Sequence, residues 1–256
     1  MLVQTNYKIA IALILALCGF YLIGKEAIYD FWSNTSCAIF TDFEKQIDDI
    51  EQLYGIKLEY EIGKIIIPEA WVNPPASGTV EAIAQSDLCR AVSILSRELK
   101  KYPPEVIRSD LKSIYLLKSL SFYGIEYGGT FLGSSVYLTA GNRSEGYSEY
   151  YFSSLIHHEL SSLLFNVYAF PKEEWSAINP KDFHYTKSDQ DILNAIETYA
   201  DLEGSDKLYH NGFLADYGQS TLENDFNLYA KLVFVDPKKL QTLAKKYPKI
   251  KKKLSW

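Results

Sequence analysis

From Ile9 to Ile23 the chain is apolar without interruption, between Lys8 and the stretch Gly24, Lys25, Glu26. Such a run is long for a core helix and short for a full membrane span. Residues 1–24 are therefore predicted to form an apolar helix that serves as an export signal or membrane anchor, with the remainder outside the cytoplasm. No small-x-small cleavage site follows, so an uncleaved anchor leads; a cleaved signal, a lipoprotein through Cys18 and a buried helix are the alternatives. Beyond it, Thr41 to Tyr54 shows helical spacing (Phe43, Ile47, Ile50, Leu53, Tyr54) and stops at Gly55, while Ile56 to Ile67 alternates as a strand does. Asn73, Pro74 and Pro75 break the chain. Thr79 to Lys101 has the pattern of a long amphipathic helix ended by Pro103 and Pro104. Ser113–Phe122, Gly124–Tyr127 and Ser135–Thr139 are predicted strands separated by turns. A helix around Leu155–Phe165 follows, then polar loops from Pro171, short helices around Asp189–Gly204 and Leu222–Val235, and a lysine-rich terminal helix. Sheet first, helix next and helical part last is an α+β order, with residues 25–256 as one domain and room for a cleft between its two parts.

Composition narrows this picture modestly. The 256 residues, 47% hydrophobic and 23% charged, suit an ordinary globular domain. The net charge of −6 is uneven, since the segment from residue 237 onward carries Lys238, Lys239, Lys245, Lys246, Lys249, Lys251, Lys252 and Lys253 without an acid, leaving the rest strongly acidic. Nucleic acid is excluded as a partner of the main domain on that ground. The terminal lysines read as a solvated helix, or as a tail against anionic headgroups if the first segment stays in a membrane. Cys37 and Cys89 are an even pair that an exported domain can bridge, or two buried thiols.

The chemistry concentrates in Leu155–Phe165, which contains His157, His158, Glu159 and Ser162. In an H-E-x-x-H helix, two histidines one turn apart hold Zn²⁺ and the glutamate activates the metal-bound water. Here His158 and Glu159 occupy the first two positions, and Ser162 stands where the second histidine belongs. Residues four apart share a face, so Ser154, His158, Ser162 and Asn166 form a polar stripe opposite Ile156, Leu160, Leu163, Leu164 and Val167. That pattern lines a cleft; taken alone, it is also what a hydrogen-bonded histidine on a half-buried helix looks like. His157 points about 100° away and cannot share a metal with His158. His184 and His210 read as loop or surface histidines able to swing inward, and Asp201 and Glu203 as helix-end acids or partners to a metal-bound histidine.

Together with Trp175, Asn179, Pro180, Phe183, His184 and Tyr185, and with the segment Gly212 to Ala230, the Phe152–Phe165 helix resembles a family of zinc-binding metallopeptidases of the bacterial cell envelope, related in layout to gluzincin-type proteases. The resemblance covers about the second half of the chain. It implies a zincin-like fold, zinc held by His158 and an acid near Glu223, Glu159 as general base, and Tyr217 as donor to the oxyanion. The departures are Ser162 and the downstream acidic motif, where Asn224 stands at a position the family fills with glutamate and Asn227 and Leu228 follow Asp225 and Phe226. The third ligand is therefore open among Glu223, Asp225, His184 and His210. Three functions remain: an envelope zinc peptidase acting on peptide or protein; an inactive zincin-like relative whose cleft binds a peptide, glycan or protein; and a structural anchor domain in which the histidine helix is ordinary core.

Overall fold

A computed structural model describes residues 43–185 and 204–255. The predicted N-terminal helix, Cys37 and with it the Cys37–Cys89 bridge, the helix expected around Asp189, and Asp201 and Glu203 lie outside those residues; Cys89 itself is buried. Among the described residues no helix is long and apolar enough to cross a membrane. The chain runs α1 (Phe43–Tyr54), β1 (Lys57–Glu59), α2 (Glu69–Val72), β2 (Thr79–Ala82), α3 (Gln85–Leu99), α4 (Pro104–Asp110), β3 (Ser113–Phe122), β4 (Ile125–Tyr127), β5 (Gly129–Leu132) and β6 (Ser135–Thr139). It continues through α5 (Glu149–Val167), α6 (Lys172–Ser176), α7 (Asp206–Asn211), α8 (Leu222–Val235), α9 (Pro237–Lys246) and α10 (Pro248–Leu254).

The ten-residue β3 organises the sheet. Its first half pairs in parallel with β1 and β6, and its second half pairs antiparallel with β2 and β4. β5 returns antiparallel along β6 and ends the order β1-β3-β6-β5 as an edge. Alternation along β3 and β6 gives each face its own core. Ile114, Leu116, Val136 and Leu138 meet α1, α3 and α5, whereas Tyr115, Leu117 and Tyr137 meet Ile65 and Trp71 on the other side. From α5 the first of these cores takes Phe152, Leu155, Ile156, Leu160 and Leu163. At about 1.5–3 kcal/mol for each large side chain buried, that face fixes the helix against the sheet.

Two predicted elements differ from the observed ones, and one observed strand was not predicted. The strand expected over Ile56–Ile67 is confined to Lys57–Glu59, because a turn closed by Lys64 N–H to the Glu61 carbonyl (2.8 Å) redirects the chain and sends Ile65 under the sheet. The helix expected from Thr79 begins only at Gln85. Thr79 and Val80 instead pair with Ser121 and Leu120, and the register shifts between Glu81 and Ala82 before the helix starts. β5 has a double-glycine start and was invisible as a strand; it forms because the exposed side of β6 offers it a ladder.

The C-terminal helices gather around a second core of Trp175, Leu214, Leu228, Tyr229, Leu232, Leu240, Tyr247 and Ile250. The lysine-rich segment is not uniformly solvated. Lys253 is 2% exposed, donating to Asp225 and to the Gly212 carbonyl (2.9 Å), and its ammonium lies over the Phe213 ring at 4.5 Å. α8 packs along α5 and carries both this anchor and one wall of the cleft described next.

Candidate functional site

α5 starts at Ser148, whose hydroxyl accepts the Tyr151 N–H (3.1 Å), and ends before Phe170 and Pro171. It is buried on nearly all sides, not on one face alone. His157 is fully buried and turned away from the cleft, in line with its predicted offset. The Tyr102 hydroxyl donates to its Nδ1 (2.7 Å), its Nε2–H donates to Glu98 (2.8 Å), and Phe234 stacks on the ring at 4.4 Å. Burial lowers the His157 pKa to about 4, so the ring is neutral at pH 7. Burial by itself would raise Glu98, but hydrogen bonds from Lys101, His157 and Arg97 outweigh it and hold that carboxyl at about 2. His157 therefore joins α3 to α5 and does no cleft chemistry.

His158, Glu159 and Ser162 face a cleft of about 910 Å³. Its walls are β4 and β5, the N-terminal half of α5, and α8 with the start of α9; Tyr217, Glu223 and Asn224 also line it. Glu159 is 6% exposed and lies beneath β5. A Cβ at Gly129 would stand 2.7 Å from the Tyr137 carbonyl oxygen and 3.0 Å from Glu159 Cγ, so only glycine lets the strand pass over this carboxyl. Burial, reinforced by Glu223, raises the Glu159 pKa to about 8, and the group is protonated at neutral pH. Burial and then Lys231 lower His158 to about 3, keeping that imidazole neutral. The rings of His158 and Tyr217 are 6.1 Å apart.

The residue that decides the site is Asn227, which is fully buried between α8 and α5. Ser161 Oγ–H donates to its Oδ1 (2.7 Å), which orients the amide so that Nδ2 faces α5. Nδ2 donates to Ser162 Oγ (2.6 Å) and lies 3.5 Å from His158 Nε2. The carboxamide thus bridges the two positions from which an H-E-x-x-H helix grips its metal. The sequence marks Asn227 only as a departure from the downstream acidic motif, because its role depends on which turn of α8 crosses which turn of α5.

Among the described residues the donor set does not fit zinc. Zinc in proteins takes three or four donors from imidazole, thiolate and carboxylate. Here His158 Nε2 faces an N–H donor, Ser162 Oγ is engaged by the same amide, and Asn224 Nδ2 donates to Ser220 (2.9 Å). Glu223 accepts from Asn166 (3.2 Å). Among the described residues no group of three or more His, Cys, Asp or Glu side chains is placed to hold a metal ion. The other candidate ligands are elsewhere. Asp225 points away from the cleft to Trp175 Nε1 (2.9 Å), Tyr185 (2.6 Å) and Lys253. His210 is exposed on α7, bonded to Asp206, and His184 is exposed as well; neither lines the cleft.

No family model matches the sequence, and no curated protein matches it. A solved structure from Bacteroides caccae, described as "a putative zinc-binding metallo-peptidase", is similar with a TM-score of 0.50 and 17% identity, over 83% of this chain and 81% of that one. At that identity the likeness is one of fold: this chain has a metallopeptidase-like α+β architecture.

Proposed function

We propose that this protein binds polypeptide in a metallopeptidase-like cleft and does not hydrolyse it through a metal. The carrying observation is the Asn227 carboxamide, hydrogen-bonded to Ser161 and Ser162 and set against His158 Nε2, where a metal would need those groups free. Polypeptide is the occupant that the walls suit. Among the described residues the sheet ends on β5, whose Gly129, Thr130 and Phe131 line the cleft, so an extended chain can add to it as a further strand. Phe131 supplies apolar area, and Tyr147, Tyr150 and Tyr151 supply apolar rings with polar tips, for its side chains.

A second reading keeps His158 and Glu223 as zinc ligands, Glu159 as base and Tyr217 as donor. It is favoured by the cleft these four residues share and by the description of the Bacteroides caccae protein. It requires Asn227 to leave its position. The two readings separate when the full chain, supplied with zinc, is incubated with a mixed-sequence peptide pool and the pool is examined by mass spectrometry. Peptides retained on the protein and recovered whole are expected. Cleavage at defined bonds that disappears in Glu159→Gln establishes the enzyme instead.

A further inference from the structure

Besides Glu159 and Glu223, the cleft is lined by charged groups at its two ends. At the sheet end, Lys118 is ion-paired with Glu81 (3.2 Å), with Glu126 and Glu145 beside it. At the helical end stand two lysines, Lys231 of α8 and Lys239 of α9. Lys231 has no carboxylate partner among the described residues, and the one charge that shifts it is Lys239, a like charge that acts with burial to lower it to about 8. The acid close by, Asp236, is taken up as the cap of α9, accepting the Lys239 N–H (2.9 Å). A poorly solvated ammonium without an anion is a costly arrangement in an otherwise acidic protein.

The wall beneath is also incomplete. His158 is 7% exposed, and the charge that acts on it is Lys231. Because its Nε2 faces the Asn227 N–H, the neutral ring carries its proton on Nδ1. Among the described residues that Nδ1–H has no acceptor, and one helical turn earlier the buried Ser154 Oγ has the Tyr150 hydroxyl beside it. Both residues line the cleft, as does Lys231. Buried donors are normally satisfied, so this orphan beside an ammonium with no carboxylate partner among the described residues marks a place that a ligand completes.

We infer that the Lys231 end of the cleft is a carboxylate subsite, in which a ligand carboxylate pairs with Lys231 and lies against the His158 and Ser154 wall, with Lys239 at the rim. The inference rests on the reading of the cleft as a polypeptide site and adds its polarity: the carboxylate end of the bound chain lies toward α8 and α9, its amino end toward Glu126 and Glu145. Two sources supply the group, a peptide's own C-terminus or an acidic side chain within it.

The probes are acetylated pentaalanine as the free acid, the same peptide as its C-terminal amide, and an amidated variant with one glutamate, each titrated into the full chain by calorimetry while the His158 ring signals are followed by NMR. The free acid is expected to bind at least about tenfold tighter than the plain amide and to move the His158 signals, with the advantage lost in Lys231→Gln, since one charge-assisted contact accounts for a factor of that size. An equal advantage for the glutamate-bearing amide assigns the subsite to acidic side chains; none assigns it to the C-terminus. Free acid and amide binding alike, or a preference that survives Lys231→Gln, overturns the subsite and leaves the polypeptide cleft standing. Failure of all three peptides to bind overturns both.

Discussion

Glu159 is held in a state that its fold does not favour. Its carboxyl is buried under Gly129 and has no hydrogen-bond partner among the described residues, and its pKa stands near 8, against about 4.5 when exposed. A carboxyl raised in the folded state contributes no penalty below its unfolded pKa and a growing one as pH rises from there toward 8. Glu159→Gln is therefore expected to stabilise the protein by roughly 3 kcal/mol at pH 7 and to leave stability unchanged near pH 4. Thermal unfolding of both proteins across that range checks it; a variant that melts at or below wild type at pH 7 contradicts it. Such a cost is what a cleft residue retained for something other than packing shows. At this scale the sequence revealed His158, Glu159 and the missing ligand at Ser162, because a motif is a local spacing. It could not reveal the partner of Asn227, since that residue is 65 positions from Ser162 along the chain and reaches it only through the crossing of two helices.

Elements were legible where one periodicity held over several turns. The helix Leu222–Val235 matches its predicted bounds, and β3 and β6 match theirs. They were illegible where a neighbour decided the outcome. Thr79–Ala82 carries apolar spacing compatible with the helix that follows, but β3 offered it a ladder, and the alternation past Glu59 had no partner strand to pair with. α10 makes the same point through one side chain. Seven of its charged neighbours in the terminal segment suit solvent, while Lys253 enters the core and neutralises Asp225 at the start of α8. Lys253→Ala leaves that carboxylate buried and unpaired and is expected to cost about 3–5 kcal/mol, with most of the loss recovered in Lys253→Met combined with Asp225→Asn. Urea denaturation of the three proteins measures this. A single variant within about 1 kcal/mol of wild type would show that α10 is not held by the pair.

For the molecule as a whole, the α+β order and the cleft between a sheet part and a helical part were readable from the chain, and the likeness to the solved Bacteroides caccae structure bears out the α+β architecture. The fold supplies the cleft; what the cleft does follows from the groups at its floor. His158, Glu159 and Ser162 stand there in the expected places, and behind them Ser161 and Asn227 bond to one another and Asn227 bonds to Ser162, which sets a closed hydrogen-bonded arrangement where a metal would need free donors. The most direct test is the zinc content of the full chain by elemental analysis after equilibration with excess zinc and removal of the unbound ion, for wild type and for Ser162→His combined with Asn227→Ala. No stoichiometric zinc in wild type and a gain in the double variant is the predicted result. One zinc per wild-type chain, lost in His158→Ala, contradicts the account.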